Sequence, residues 1–379
     1  MNTNQAEINY DELQSKTIDW LRFPLTMAIV FIHLIPNVNI QNVNSSSSCS
    51  SDIYNIIGIL ISRVLAEVAV PCFFMFSGFL FFYKLREWNQ KVYIKKLRSR
   101  FLTLGVPYIV WNIIPIVVFL FLKAVKFDGR VWVFIDEILD KSIFSVLWNF
   151  NEWGITQTNI IGWATPLTGP FNFPLWFLRD LIICVVLSPI IYYFIKYTKI
   201  YGVLLLGFLF YTKIWFTIPG MSITALFFFS LGAYFSIHNK GIILAFRKFN
   251  LFWLITALIS TYLSVIFDES KTMNFINPVF IISGVITIIN FVSYLLEKGT
   301  IKVNDFLSKA SFFVYLTHTI FILEFSKVIF SKVFKSQSFV MLTIGYFTIP
   351  LFCIFICLTI YFVLNKLTPN LLRILTGNR

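Results

Sequence analysis

Ten long apolar runs constrain this chain more than any other feature. They fall at about 18–36, 54–82, 102–123, 174–195, 200–216, 221–237, 249–267, 275–295, 310–330 and 338–365. A helix needs roughly 20 apolar residues to cross a bilayer. The fifth and sixth runs are short and are separated by Pro219 and Gly220, which predicts a tight helical hairpin or a partly re-entrant pair. The expected fold class is all-α: a polytopic membrane helical bundle of about ten transmembrane helices, with both termini cytoplasmic.

Composition agrees with lipid as the solvent. Apolar residues make up 58% of the 379 and charged residues 13%. A soluble domain carries about 25% charge. The 45 phenylalanines would leave large apolar patches in water.

The net charge of +13 does not form a nucleic-acid face. The basic residues sit in short loops between apolar runs, which is a topology signal, and no nucleic-acid partner is expected. With a cytoplasmic N-terminus, the inside segments are the N-tail, 83–101, 196–199, 238–248, 296–309 and the C-tail. Segment 83–101 alone holds Lys84, Arg86, Lys91, Lys95, Lys96, Arg98 and Arg100. The outer loop between helices seven and eight holds only Lys271. An even span number returns the C-terminus to the same side.

Three regions follow from this count: a cytoplasmic tail at 1–17, a transmembrane domain at 18–365, and a cytoplasmic tail at 366–379. Residues 1–17 lack the basic start and short apolar core of a signal peptide, so the first run is expected to act as the insertion signal. Segment 124–173 is a long outer loop with Trp132, Trp148, Trp153 and Trp163. Its aromatic content predicts short amphipathic segments folded against the membrane surface or dipping into it. Long structured loops of this kind are often functional. The serine run Ser45–Ser48 reads as a flexible connector.

Ionisable groups inside spans are costly, so each is a candidate functional residue. Helix one carries Asp19, Arg22 and His33. Arg22 and His33 are close to three turns apart, on one face and about 16 Å apart along the axis. Asp19 and Arg22 also read as an interfacial cap. Histidine at a buried outer end can exchange a proton near neutral pH. Arg63 and Glu67 on helix two have ion-pair spacing and lie at a depth where a site could use either. Trp176 precedes the adjacent Arg179 and Asp180 at the start of helix four. That pair either neutralises itself or presents an arginine to an anionic or polyhydroxylated substrate. His318 sits mid-span in helix nine, where a histidine can serve as a helix–helix hydrogen-bonding group.

Cys49, Cys72, Cys184, Cys353 and Cys357 show no metal-ligand spacing with a histidine. There is no glycine-rich nucleotide loop, nucleophile elbow or zinc-protease pattern. No metal is expected.

The motifs together resemble the bacterial acyltransferase family 3 membrane proteins. IDWLRFPLTMAIVFIHL (18–34) is similar to the family's first helix, in which Asp is followed by Arg three residues on and His eleven later. PCFFMFSGFLFF (71–82) resembles its aromatic run before Ser-Gly-Phe-Leu. KKLRSRFLTLGVPYIVW (95–111) resembles its basic entry into helix three. PLWFLRDL (174–181) and SFFVYLTH (311–318) resemble its Trp-Phe-Leu and late Tyr-Leu-x-His patterns.

The resemblance implies transfer of an acyl group, usually acetyl, from cytoplasmic acetyl-CoA or another acyl-CoA to a carbohydrate hydroxyl. It implies His33 as the catalytic histidine, with Arg22 and Asp19 beside it. It implies Arg98, Arg100 and Lys96 as the anchor for CoA phosphates. Arg179, Trp176, Glu67, Arg63 and His318 are the candidate substrate-binding residues. Many relatives carry an arginine where this chain has Thr103, a departure that bears on donor geometry. The acceptor would be a cell-surface or exported glycan, free or lipid-linked, and the location the bacterial inner membrane. The competing expectations are a transporter or polymerase of lipid-linked glycans, and a structural or sensory membrane protein. An acyltransferase should gather Arg22, His33 and Arg100 around one cavity open to the cytoplasm. A transporter should show a cavity lined across the midplane.

Overall fold

A computed structural model of the chain describes residues 9–34, 48–85, 87–124, 141–150, 156–158, 164–166, 168–216, 218–267, 272–333 and 339–378. Arg86, Trp132, Trp153, Trp163, Lys271 and residues 45–47 of the serine run lie outside the described residues.

Helices dominate. Helix α1 spans Tyr10–Ile32; Asn9 caps it by accepting from the Glu12 amide at 3.3 Å. Helix α2 (Ser48–Gly58) passes through a π-helical turn (Ile59–Val64) and a 3-10 turn (Leu65–Val68) into α3 (Ala69–Phe82). Helix α4 (Gln90–Arg100) passes through a second π-helical turn (Phe101–Gly105) into α5 (Val106–Ala124). A short α6 (Ile143–Trp148) and a hairpin of β1 (Thr156–Thr158) and β2 (Ala164–Pro166), in which Thr156 pairs with Pro166, belong to the long loop.

Next come α7 (Trp176–Val186), α8 (Ser188–Thr198), α9 (Ile200–Thr212), α10 (Ile223–Ile237), α11 (Ile242–Arg247), α12 (Asn250–Ile266) and α13 (Met273–Glu297). Helix α14 (Asp305–Thr317) leads through a third π-helical turn (His318–Ile322) into α15 (Leu323–Val333). The chain closes with α16 (Phe339–Leu367) and a short α17 (Pro369–Thr376).

Among the described residues, four helices are long and apolar enough to cross a membrane, and six spans result if each of two bent pairs counts as one. Helices α9, α10 and α12 are apolar but shorter. Length and composition thus give four to six candidate spans among the described residues, in keeping with a multi-pass membrane protein. Helix four is not the straight run expected over 174–195. It bends by 67° between α7 and α8, where Ser188 and Pro189 follow Leu187; proline cannot donate to the helical ladder and disfavours α geometry before it. Helix nine, expected over 310–330, bends by 63° between α14 and α15, across the π-helical turn that starts at His318.

The core is built on phenylalanine, with Phe74, Phe81, Phe82, Phe228 and Phe229 fully buried. Its tightest seam joins α3 to α10. A Cβ added to Gly78 would meet the Phe229 carbonyl oxygen at 2.0 Å, and one added to Gly232 the Met75 carbonyl oxygen at 1.9 Å. Glycine is required at both positions because only a missing Cβ lets the backbones touch. The Ser236 hydroxyl extends the seam by donating to the Phe79 carbonyl at 2.6 Å.

The described part of the long loop around Leu147 and Trp148 is hydrogen-bonded to the bundle. The Tyr108 hydroxyl donates to the Leu147 carbonyl. The buried Arg179 guanidinium donates to the Trp148 carbonyl at 2.8 Å and to Asp180 at 3.0 Å. Asp180 in turn accepts from the Ser222 amide at 3.3 Å, at the start of α10.

Candidate active site

A cavity of about 400 Å³ opens among α1, α3, α7, α14 and the α4–α5 junction. Helix α1 contributes Ile18, Arg22 and Thr26, whose spacing of four is one turn and so one face. Helix α3 contributes Phe73, Phe76, Ser77 and Leu80 by the same periodicity. Phe177, Leu178 and Leu181 of α7 form a further wall. Ser308, Lys309, Ser311, Phe312 and Tyr315 of α14 complete it.

Three cationic side chains line this space: Arg22, Arg100 and Lys309. Arg22 pairs with Asp19 at 3.1 Å, both side chains being more than a third exposed. Arg100 ends α4, and the π-helical turn that follows changes the register by which the next residues face the bundle. The other two expected donor residues point elsewhere. Lys96 donates to the Phe81 carbonyl at 2.5 Å and lies 5.0 Å from that ring's centroid. Arg98 faces an apolar crevice between the α4–α5 junction and α7 that Arg100 also borders. The Thr103 hydroxyl is buried with no partner.

His33 does not line the cavity, which corrects the expectation of a shared chamber with Arg22 and Arg100. The cavity reaches only Thr26 on α1, and seven further residues of helix carry His33 about 10 Å deeper. There it meets His318, with ring centroids 5.2 Å apart. His318 is one turn beyond Tyr315, the last α14 residue of the cavity wall. The two rings of Tyr315 and His318 lie 6.3 Å apart. The cavity therefore ends beneath a histidine pair, with Tyr315 between.

The bonding of His318 fixes its tautomer. Its Nδ1 faces the Tyr315 carbonyl at 2.8 Å and the Val314 carbonyl at 3.2 Å, so Nδ1 carries the proton and donates. Its Nε2 is buried with no partner, a lone pair held in the protein interior beside His33. Such an orphaned group calls for a chemical explanation. Among the described residues each of three π-helical turns borders a candidate residue: Arg63 within the first, Arg100 before the second, His318 opening the third. Single π-helical turns concentrate at functional sites.

The remaining candidates are dispersed. Glu67 accepts from the Asn277 side-chain amide across to α13, and Arg63 sits on the same helix four residues earlier. Trp176 packs on Phe74 at 6.4 Å rather than in the cavity. Arg179 spends its donors on the loop and Asp180. Sequence reasoning did not single out Lys309 or Tyr315 for the site. The signal was present: Ser308, Ser311, Tyr315 and His318 recur at helical spacing along one face of an apolar helix. No group of metal-ligating side chains occurs among the described residues.

A family profile for the acyltransferase domain matches residues 15–366, nearly the whole chain. The chain belongs to acyltransferase family 3. It is also 23% identical over 381 residues to the succinoglycan biosynthesis protein ExoH of Rhizobium meliloti (strain 1021), covering 96% of this chain and 92% of that protein. No solved structure matches the chain. Membership makes this an acyltransferase.

Proposed function

We propose that this protein transfers an acetyl group from cytoplasmic acetyl-CoA to a hydroxyl of a cell-surface or exported carbohydrate. The observation that carries the reading is the cation-lined cavity ending beneath the His33–His318 pair. The orientation follows the basic loops, with about ten helical crossings, both termini inside and the site in the bacterial inner membrane. The relative's printed role in succinoglycan biosynthesis supports a polysaccharide acceptor.

The donor's phosphates would sit at Arg100 and Lys309, where charge-assisted bonds are strongest. Arg22, held by Asp19, would face the pantetheine side, while Lys96 and Arg98 add long-range attraction from outside the cavity. The thioester would reach upward past Tyr315. The acceptor hydroxyl is a weak nucleophile until its proton is removed. His33 takes that proton as the hydroxyl oxygen attacks the thioester carbonyl carbon. On this reading the His33 imidazolium turns its second N–H to His318 Nε2, an acceptor without a partner in the structure, which steadies the positive charge. The carbon–sulfur bond then breaks, and the CoA sulfur leaves with the proton held by His33. Glu67 and Arg63 are the acceptor-side candidates, and Arg179 holds the loop at the Trp148 carbonyl. The cavity wall stops at Thr26 and Tyr315, which favours a one-sided donor pocket over a route across the bilayer.

The test is release of free CoA from acetyl-CoA by the purified protein with glycan acceptors. His33→Ala should lower the rate by about 10²–10⁴-fold, the usual contribution of a positioned base, with acetyl-CoA affinity retained. A rate within threefold or so of wild type would remove His33 from the chemistry.

A further inference from the structure

A second cavity, of about 540 Å³, lies away from the site just described, between α12, α13 and the Leu65–Val68 turn. Its wall is apolar along Leu254, Leu258, Phe280 and Phe291. The outward edges Leu254, Leu258 and Phe291 are exposed to whatever surrounds the bundle. On α12 the crevice runs from Asn250 to Thr261. That is about 16 Å of helix, close to half of a hydrocarbon core of about 30 Å. It has the depth of one leaflet.

One end of the crevice is polar. Asn290 is 3% exposed. Its amide nitrogen donates to the Phe246 carbonyl and to Asn250 Oδ1, each at 3.1 Å. Its Oδ1 has no partner in the protein, and neither has Thr287 Oγ1 one turn deeper. A buried acceptor without a donor costs free energy, and a hydrocarbon chain cannot supply one.

The same end is cationic. Lys248 is exposed, two residues before Asn250. Lys298 lies over the Tyr294 ring at 4.5 Å, and Tyr294 also lines the crevice. Arg247 pairs with Glu297 at 2.6 Å. Three cations and one carboxylate leave a local excess of two positive charges.

We propose that this crevice binds one phospholipid of the leaflet on the basic side of the membrane, an anionic lipid with a hydroxyl-bearing headgroup, phosphatidylglycerol in chemistry. One acyl chain fills the apolar groove between α12 and α13. The phosphate lies at Lys248, and a headgroup hydroxyl donates to Asn290 Oδ1. A choline headgroup offers neither net charge nor a donor. The inference rests on the membrane reading and not on the acyl-transfer mechanism, so it survives or fails independently of enzymatic activity.

The experiment is native mass spectrometry of the full-length protein released from mixed micelles of equal phosphatidylglycerol and phosphatidylcholine. The wild type should retain one phosphatidylglycerol in preference to phosphatidylcholine. A cation near a membrane surface is worth about 1 kcal/mol, so Lys248→Gln should lower the preference about fivefold. Lys366→Gln, an exposed cation at the end of α16, should not. Ala257→Leu, whose side chain would enter the groove, should remove retention of both lipids. Equal retention of the two lipids by wild type would overturn the assignment. So would an equal loss in Lys366→Gln, or undiminished retention in an Ala257→Leu protein that keeps the wild-type melting temperature.

Discussion

Gly232→Ala places a methyl carbon 1.9 Å from the Met75 carbonyl oxygen and 2.7 Å from the Phe79 amide nitrogen. Ordinary contact at such a carbon begins at 3.4 Å, so α10 must retreat from α3 by 3.4 − 1.9, or about 1.5 Å, at that point. Both clashing atoms belong to backbone, so no rotamer change relieves them. Overpacking a close-packed interior costs about 1–3 kcal/mol, and rigid partners put this case at the upper end. A separation of that size also forfeits more than half the dispersion energy across the gap. The expected loss is about 3 kcal/mol, roughly a hundredfold in the unfolding equilibrium. Thermal denaturation in detergent, followed by tryptophan fluorescence, reads it. Gly78→Ala strikes the same seam through Phe229, so the double variant should lose less than the sum of the singles. Gly241→Ala, where the nearest atom is at 3.6 Å, should stay within about 0.5 kcal/mol of wild type. Because α3 supplies Phe73, Phe76, Ser77 and Leu80 to the cavity, the surviving folded protein should also bind donor more weakly. A Gly232→Ala protein with the wild-type melting temperature would refute the claim that these backbones touch.

Three side chains of the basic region separate by geometry: Arg100→Ala and Lys309→Ala should each weaken acetyl-CoA binding by about 10–100-fold, the worth of a hydrogen bond to a charged group. Lys96→Ala should change it little, because that ammonium is bonded to the Phe81 carbonyl; isothermal titration of the three variants decides, and equal effects would place the donor elsewhere. Arg179→Met leaves Asp180 buried without its partner and should cost about 3–5 kcal/mol, whereas Arg179→Met combined with Asp180→Leu should recover much of it. A single variant as stable as wild type in thermal denaturation would show that the pair does not hold the loop.

The membrane class, the helix-rich fold and the family were legible in the chain itself, because each depends on local sequence. Long uncharged runs demand lipid whatever their neighbours are. Motif residues such as Asp19, Arg22 and His33 keep their spacing on one helix before any packing occurs. Arg22, expected beside His33, and Arg100, expected at the donor, line one cavity that His33 does not reach. Tertiary structure decided what lies between helices. The contact of His33 with His318 joins residues 285 positions apart, and no pattern within either helix encodes the distance between them. The bends at Leu187 and between Ile320 and Leu323 shorten spans that hydropathy reads as continuous, since hydropathy sums over a window and is blind to direction. Lys309 falls at the edge of the basic segment 296–309 by sequence, and only the packing of α14 brings it to the cavity. Composition and spacing determine which elements form and which residues share a face; which faces meet is settled only when close packing selects the one arrangement in which Gly78 and Gly232 let two backbones touch.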